Sequence, residues 1–90
     1  MPTVWIPPLM RSLTQGEESV RVTGKTLREV IDSLESEYPG MRARLCEGNA
    51  IKPGLSVVID TQVSRAGLSE SVPETSEIHF VPAIAGGLMG

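Results

Sequence analysis

Aromatic residues are scarce in this chain: one Trp, one Tyr and one Phe in 90 residues. Basic residues do not dominate either. Eight Lys and Arg are interspersed among eleven Asp and Glu, giving a net charge of −3 and no electrostatic footprint for nucleic acid. A single cysteine, Cys46, excludes an internal disulfide framework. A single histidine, His79, has no cysteine or histidine neighbour in sequence, so a metal site would have to be improvised from carboxylates and Cys46. No apolar run is long enough to span a membrane, and the start lacks the basic, apolar, small-residue order of a signal peptide. The cytoplasm is therefore the default compartment. Ser, Asp and His all occur, but no spacing groups a nucleophile with a base and an orienting acid. The chain has the size of one small domain with one modest core and contains no internal repeat.

What is present reads as alternating short elements. Thr3-Val4-Trp5-Ile6 forms a strand with Val4 and Ile6 on one face and Trp5 on the other, ended by Pro7-Pro8. After the turn signal Thr14-Gln15-Gly16, residues 18–23 alternate around Val20 and Val22 as a second strand, which Gly24 breaks. Thr26 and Glu29 have capping-box spacing. Leu27, Val30, Ile31, Leu34 and Tyr38 make one apolar helical stripe, with the charges from Arg28 to Glu37 on the solvated side. Pro39-Gly40 stops this helix. Residues 41–46 offer one further helical turn, with Met41 and Leu45 toward the core. Residues 48–54 read as a loop and 55–60 as a strand with Val57 and Ile59 inward. Val63 marks a short strand, 67–76 a polar connection, and 77–82 a last strand with Ile78 and Phe80 inward. One helix covers one face of such a sheet. The expectation is an α+β roll: a mixed sheet of four to five strands with one main helix, occupying residues 1–82.

The uncovered face then gathers Trp5, Val58, His79 and Val81, an apolar patch suited to docking a partner. A register slip of one residue would swap the faces. Residues 83–90, Ala-Ile-Ala-Gly-Gly-Leu-Met-Gly, are expected to form a flexible tail. Small residues ending near Gly86-Gly87 suit delivery of a carboxylate into a narrow active site, because glycine lets the backbone approach catalytic groups closely. A glycine pair alone is also an ordinary chain end. Cys46, on an apolar helical flank, reads first as a small buried hydrophobe and only second as a sulfur-bearing group. Arg11 reads as a surface ion pair or a loop anchor, and Glu35 and Glu37 as surface charges rather than paired carboxylates.

Several of these segments together resemble the MoaD/ThiS sulfur-carrier family. They are Ile6-Pro7 with Leu9 and Arg11, Gly24-Lys25-Thr26-Leu27, Tyr38-Pro39-Gly40, and the tail from Val81 to Gly87. Within that family, the stretch from Trp5 to Gly16 and the tail are most similar to the mycobacterial carriers of cysteine synthesis. The resemblance implies a ubiquitin-like β-grasp fold and a protein cosubstrate rather than an enzyme, with no intrinsic cofactor. It implies that an E1-like enzyme uses ATP to adenylate the carboxylate of Gly87, that a sulfur donor converts it to a thiocarboxylate, and that a sulfur-accepting biosynthetic enzyme takes the sulfur. Ala85, Gly86 and Gly87 would enter the partner's active site, and docking would use the sheet face.

One departure matters. The family's carriers usually stop at the glycine pair, whereas Leu88-Met89-Gly90 follows here, so Gly87 has no free carboxylate while its bond to Leu88 is intact. By resemblance, a zinc-dependent JAMM-type peptidase would cut between Gly87 and Leu88; zinc and ATP both belong to partners. Two other readings stay open: a ubiquitin-like modifier conjugated through Gly87, and a β-grasp binding module whose tail is never activated. The acceptor, and with it the end product, is not written in the carrier.

Overall fold

In the computed structural model, which describes residues 1–82, the first and last strands lie side by side in the middle of a five-stranded sheet. The strands of that sheet are β1 (Thr3–Trp5), β2 (Ser19–Arg21), β5 (Leu55–Ile59), β6 (Gln62–Val63) and β7 (Glu77–Pro82), in the spatial order β2-β1-β7-β5-β6. β1 and β7 are parallel, with Trp5 opposite His79, and every other neighbour pair is antiparallel. Helix α1 (Leu27–Glu37) and the short α2 (Met41–Leu45) lie between β2 and a two-stranded ribbon, β3 (Cys46–Glu47) with β4 (Ala50–Ile51). This is the mixed sheet and single main helix expected of a β-grasp roll.

Helix α1 starts where its side chains satisfy the free backbone N–H groups of its first turn. Thr26 Oγ1 accepts from the Glu29 amide at 3.3 Å, an N-cap worth about 1 kcal/mol. The Glu29 carboxylate reaches back to the Lys25 amide at 2.9 Å, one residue earlier than in the standard box. Gly24 precedes this turn with φ +154°, and a Cβ placed there would lie 2.6 Å from the Val30 backbone nitrogen. Only glycine lets the entering strand approach the helix so closely. Leu27, Val30, Ile31 and Leu34 are all buried, and they pack with Met41 and Leu45 of α2 against Val4, Val20, Val57, Ile59, Ile78 and Phe80 of the sheet.

Three segments differ from the sequence expectation. Pro7-Pro8 does more than end a strand: residues Pro8–Thr14 wind into a 3-10 helix. Proline at a helix start loses no hydrogen bond, since the first N–H groups are unpaired anyway. Residues 48–54 are not one loop, because Ala50–Ile51 pairs back on Cys46–Glu47. The polar connection 67–76 contains a 3-10 turn at Gly67–Ser69 and buries Leu68 and Val72 in the core. The strand ends also shift inward, β1 stopping at Trp5 and β2 spanning Ser19–Arg21 rather than 18–23. The expected tail, 83–90, lies outside the described residues.

Candidate functional site

Alternation along a strand puts consecutive side chains on opposite faces, and ladder register decides which of them meet across strands. Here the register aligns Ser19, Trp5, His79, Val58 and Val63 in one row crossing all five strands on the face away from α1. Val81 lies two residues further along β7, opposite Ser56. All four residues expected to share this face do so: Trp5, Val58, His79 and Val81 are half-buried, and none belongs to the core cluster. The Trp5 and His79 rings stack in parallel, with centroids 5.8 Å apart and an interplanar angle of 3°. The indole N–H donates to Glu77 Oε1 at 3.2 Å, so the Trp5 plane is fixed by both a neighbour ring and a carboxylate. His79 is thus a packed member of the face rather than an isolated surface histidine. Val63, 58% exposed, extends the apolar row to the sheet edge and was not among the expected patch residues. The alternation of two-residue β6 is too short to assign its faces from sequence.

The sheet face ends where the tail begins. β7 runs to Pro82, and parallel pairing places the C-terminal end of β1 at the same end of the sheet. The residues leaving β1 form a braced collar there. The Ile6 amide donates to Glu18 O at 2.8 Å, and the Met10 amide to Pro7 O at 2.9 Å. Arg11 Nε donates to Ile6 O at 3.1 Å, which makes Arg11 a loop anchor and not a surface ion pair. Thr14 is fully buried, with its hydroxyl 2.9 Å from Glu17 O and 3.2 Å from Arg11 O. Ala85, Gly86, Gly87 and Leu88, the tail residues singled out by sequence, lie outside the described residues.

The other candidates resolve into structural roles. Cys46 packs half-buried against the core beside a hollow of about 350 Å³ lined by Arg28, Asp32, Arg42 and Asn49. Burial pushes its thiol pKa up, against the opposing pull of Arg42 and Arg28, so the protein environment favours the less nucleophilic protonated form. Glu35 accepts from the backbone amides of Arg42 (2.8 Å) and Gly40 (3.2 Å), and these bonds hold its pKa below the ordinary value. Its carboxylate ties the start of α2 to α1, a role the sequence reading missed. Arg42 is paired with Asp32. Glu70 accepts from the Ser64 hydroxyl (2.9 Å) and from the Ala66 and Arg65 amides, which lower its pKa and fold the 64–70 loop around it. These carboxylates brace loops.

A half-buried sheet face that leads to a small-residue tail, on a β-grasp frame, defines the class of ubiquitin-like carriers. Residues 4–87 match the ThiS family, and the chain belongs to it. It is 33% identical over 92 residues to the sulfur carrier protein CysO of Mycobacterium tuberculosis, covering 94% of this chain and 97% of that one. A crystal structure of an Amycolatopsis orientalis BexX/CysO complex contains a chain with 35% identity and a TM-score of 0.88, covering 97% of this chain and 100% of that one. The chain is also 31% identical over 64 residues to small archaeal modifier protein 3 of Haloferax volcanii, covering 69% of this chain and 70% of that one. The chain is accordingly a ubiquitin-like sulfur carrier and not itself an enzyme. Among the described residues, no helix is long and apolar enough to cross a membrane.

Proposed function

We propose that this protein carries sulfur as a thiocarboxylate on Gly87, after removal of Leu88-Met89-Gly90. The observation that carries the reading is where the family match ends: on residue 87, the second glycine, with three further residues beyond it. Hydrolysis of the Gly87–Leu88 bond, assigned to a JAMM-type zinc peptidase, adds water across the peptide and frees the Gly87 carboxylate. That carboxylate is a poor electrophile. An E1-like enzyme joins it to the α-phosphate of ATP, expelling pyrophosphate and leaving an acyl-adenylate. A sulfide-equivalent donor then attacks the acyl carbon, AMP departs, and a thiocarboxylate remains. Its sulfur is a good nucleophile toward an electrophilic acceptor held by a biosynthetic enzyme.

This chain's own part is recognition. Gly86 gives clearance in the partner's active site, Ala85 keeps the approach narrow, and Trp5, Val58, His79 and Val81 dock the sheet face. Cys46 takes no part, so Cys46→Ser keeps full sulfur transfer. The acceptor decides the product, whether cysteine, homocysteine, a cofactor or a thiolated natural product; the resemblance of the Trp5–Gly16 stretch and the tail to carriers of cysteine synthesis favours an amino-acid acceptor. The test is the intact mass of the protein isolated from its native cells under conditions where the pathway is active. A chain ending at Gly87, part of it heavier by the difference between sulfur and oxygen, is the expected result. Protein that still ends at Gly90 overturns the reading.

The likeness to an archaeal modifier protein favours one alternative, conjugation of Gly87 to lysines of other proteins. Lysine isopeptides carrying this chain's C-terminal fragment, in place of a thiocarboxylate, would select it.

A further inference from the structure

The most exposed large apolar side chain of the described residues is Leu9, at 88%, and it belongs to neither the core nor the sheet face. Its exposure is not the accident of a loose loop. Leu9 is the second residue of the 3-10 helix Pro8–Thr14, which is locked by the Arg11–Ile6 and Met10–Pro7 hydrogen bonds and by buried Thr14. Its neighbours along the same helix, Met10 and Leu13, turn onto the core, leaving Leu9 displayed on a rigid mount. Rigid presentation lowers the ordering cost of a contact, which is what makes an exposed leucine useful to a partner.

The position of this mount gives it a partner. β1 and β7 are parallel neighbours whose pairing runs to Trp5 opposite His79, so the 3-10 helix that begins at Pro8 and the last residues of β7, Val81 and Pro82, lie beyond the same end of that ladder. The collar that carries Leu9 therefore stands at the end of the sheet where β7 finishes at Pro82. Gly87 is five residues beyond Pro82, and five residues span at most about 17 Å. An enzyme that closes its active site around Gly87 is therefore brought up to this end of the sheet. Moreover, it cannot select its carrier at the reacting end, because Gly86 and Gly87 have no side chains to read. Selection is left to side chains upstream of the glycine pair, the folded surface at this end of the sheet among them. Resting on the sulfur-carrier reading above, we infer that Leu9 is a specificity knob that enters an apolar pocket of the adenylating enzyme.

The test uses the chain ending at Gly87 and the adenylating enzyme of the same organism, read by ATP–pyrophosphate exchange at varied carrier concentration. Leu9→Ser is expected to raise the KM for the carrier about ten-fold with kcat nearly unchanged, the pattern of lost docking rather than lost chemistry. Leu9→Met, which keeps an apolar knob, is expected to restore KM to near the wild-type value. Because Leu9 is almost fully exposed, the thermal midpoint of both variants stays at that of the parent. An unchanged KM for Leu9→Ser, with the wild-type chain actively exchanged, overturns the inference while leaving the carrier reading intact. Absence of exchange with the wild-type chain overturns both.

Discussion

The two faces of the same five strands have opposite fates. On the inner face, Val4, Val57, Ile78 and Phe80 are at most 5% exposed and pack on α1 and α2, whereas on the outer face Trp5, Val58, His79 and Val81 are half-buried outside the core cluster. The residue types differ little; it is the alternation of the strand that separates them. The difference divides one element: β7 buries every second residue in the core and leaves the others on the outer face, where we propose that partners dock. Substitutions one position apart are therefore expected to fail in different assays.

Ile78→Ala should give the largest effect on stability. The side chain is fully buried between the sheet and α1, and its loss should cost about 2–5 kcal/mol in denaturant unfolding. A cost below 1 kcal/mol, on the order of an exposed-site change, would erase the distinction between the faces. Gly24→Ala comes next, because the new Cβ meets the Val30 backbone nitrogen and no side-chain rotation can relieve it; about 1–3 kcal/mol is expected. Val81→Asp on the outer face should change stability by less than about 1 kcal/mol while weakening partner binding ten-fold or more, measured by calorimetry with the adenylating enzyme. Unchanged affinity would remove the docking role from that face. The smallest effect is electrostatic. The folded-state pKa of Glu35 is depressed below 4.5, so its stabilising contribution is present above that value and is lost as pH falls through the folded pKa. Wild type and Glu35→Gln should therefore differ in thermal midpoint at neutral pH and converge in acid; a difference that grows below pH 4.5 would contradict the bonding described for Glu35.

How much of this could be read from the sequence depended on how long each signal ran. Helix α1 was legible because a capping pair and an eleven-residue stripe agree, and β5 and β7 because their alternation persists over five and six residues. The grouping of Trp5, Val58, His79 and Val81 on one outer face followed from those strands plus Trp5. The ribbon β3–β4 was missed because two-residue strands carry no period, although Gly48-Asn49 between them is a hairpin turn signal. The 3-10 collar was missed because Pro7-Pro8 is equally a strand terminator. Its real clue was Met10 and Leu13, one three-residue turn apart, both packing on the core. Leu68 and Val72 were hidden in polar surroundings: Leu68 sits on a turn packed against α1 and β4, and the Val72 amide bonds to Lys25 O just before α1, so their burial does not come from local pattern. Glu35 illustrates the same limit at the level of a single residue, whereas for Arg11 the sequence offered an ion pair or a loop anchor and the structure selects the anchor. A side chain that braces a backbone segment several residues along the chain looks in sequence like any surface charge.

The central placement of β7 also has a mechanical meaning. Under the function proposed above, a pull on Gly87 directed along β7 would reach a strand laddered to β1 on one side and β5 on the other. A pull in that direction loads both ladders in shear, so their bonds share the force instead of opening one after another from an edge. A carrier held by its tail in this way would keep its fold from unzipping.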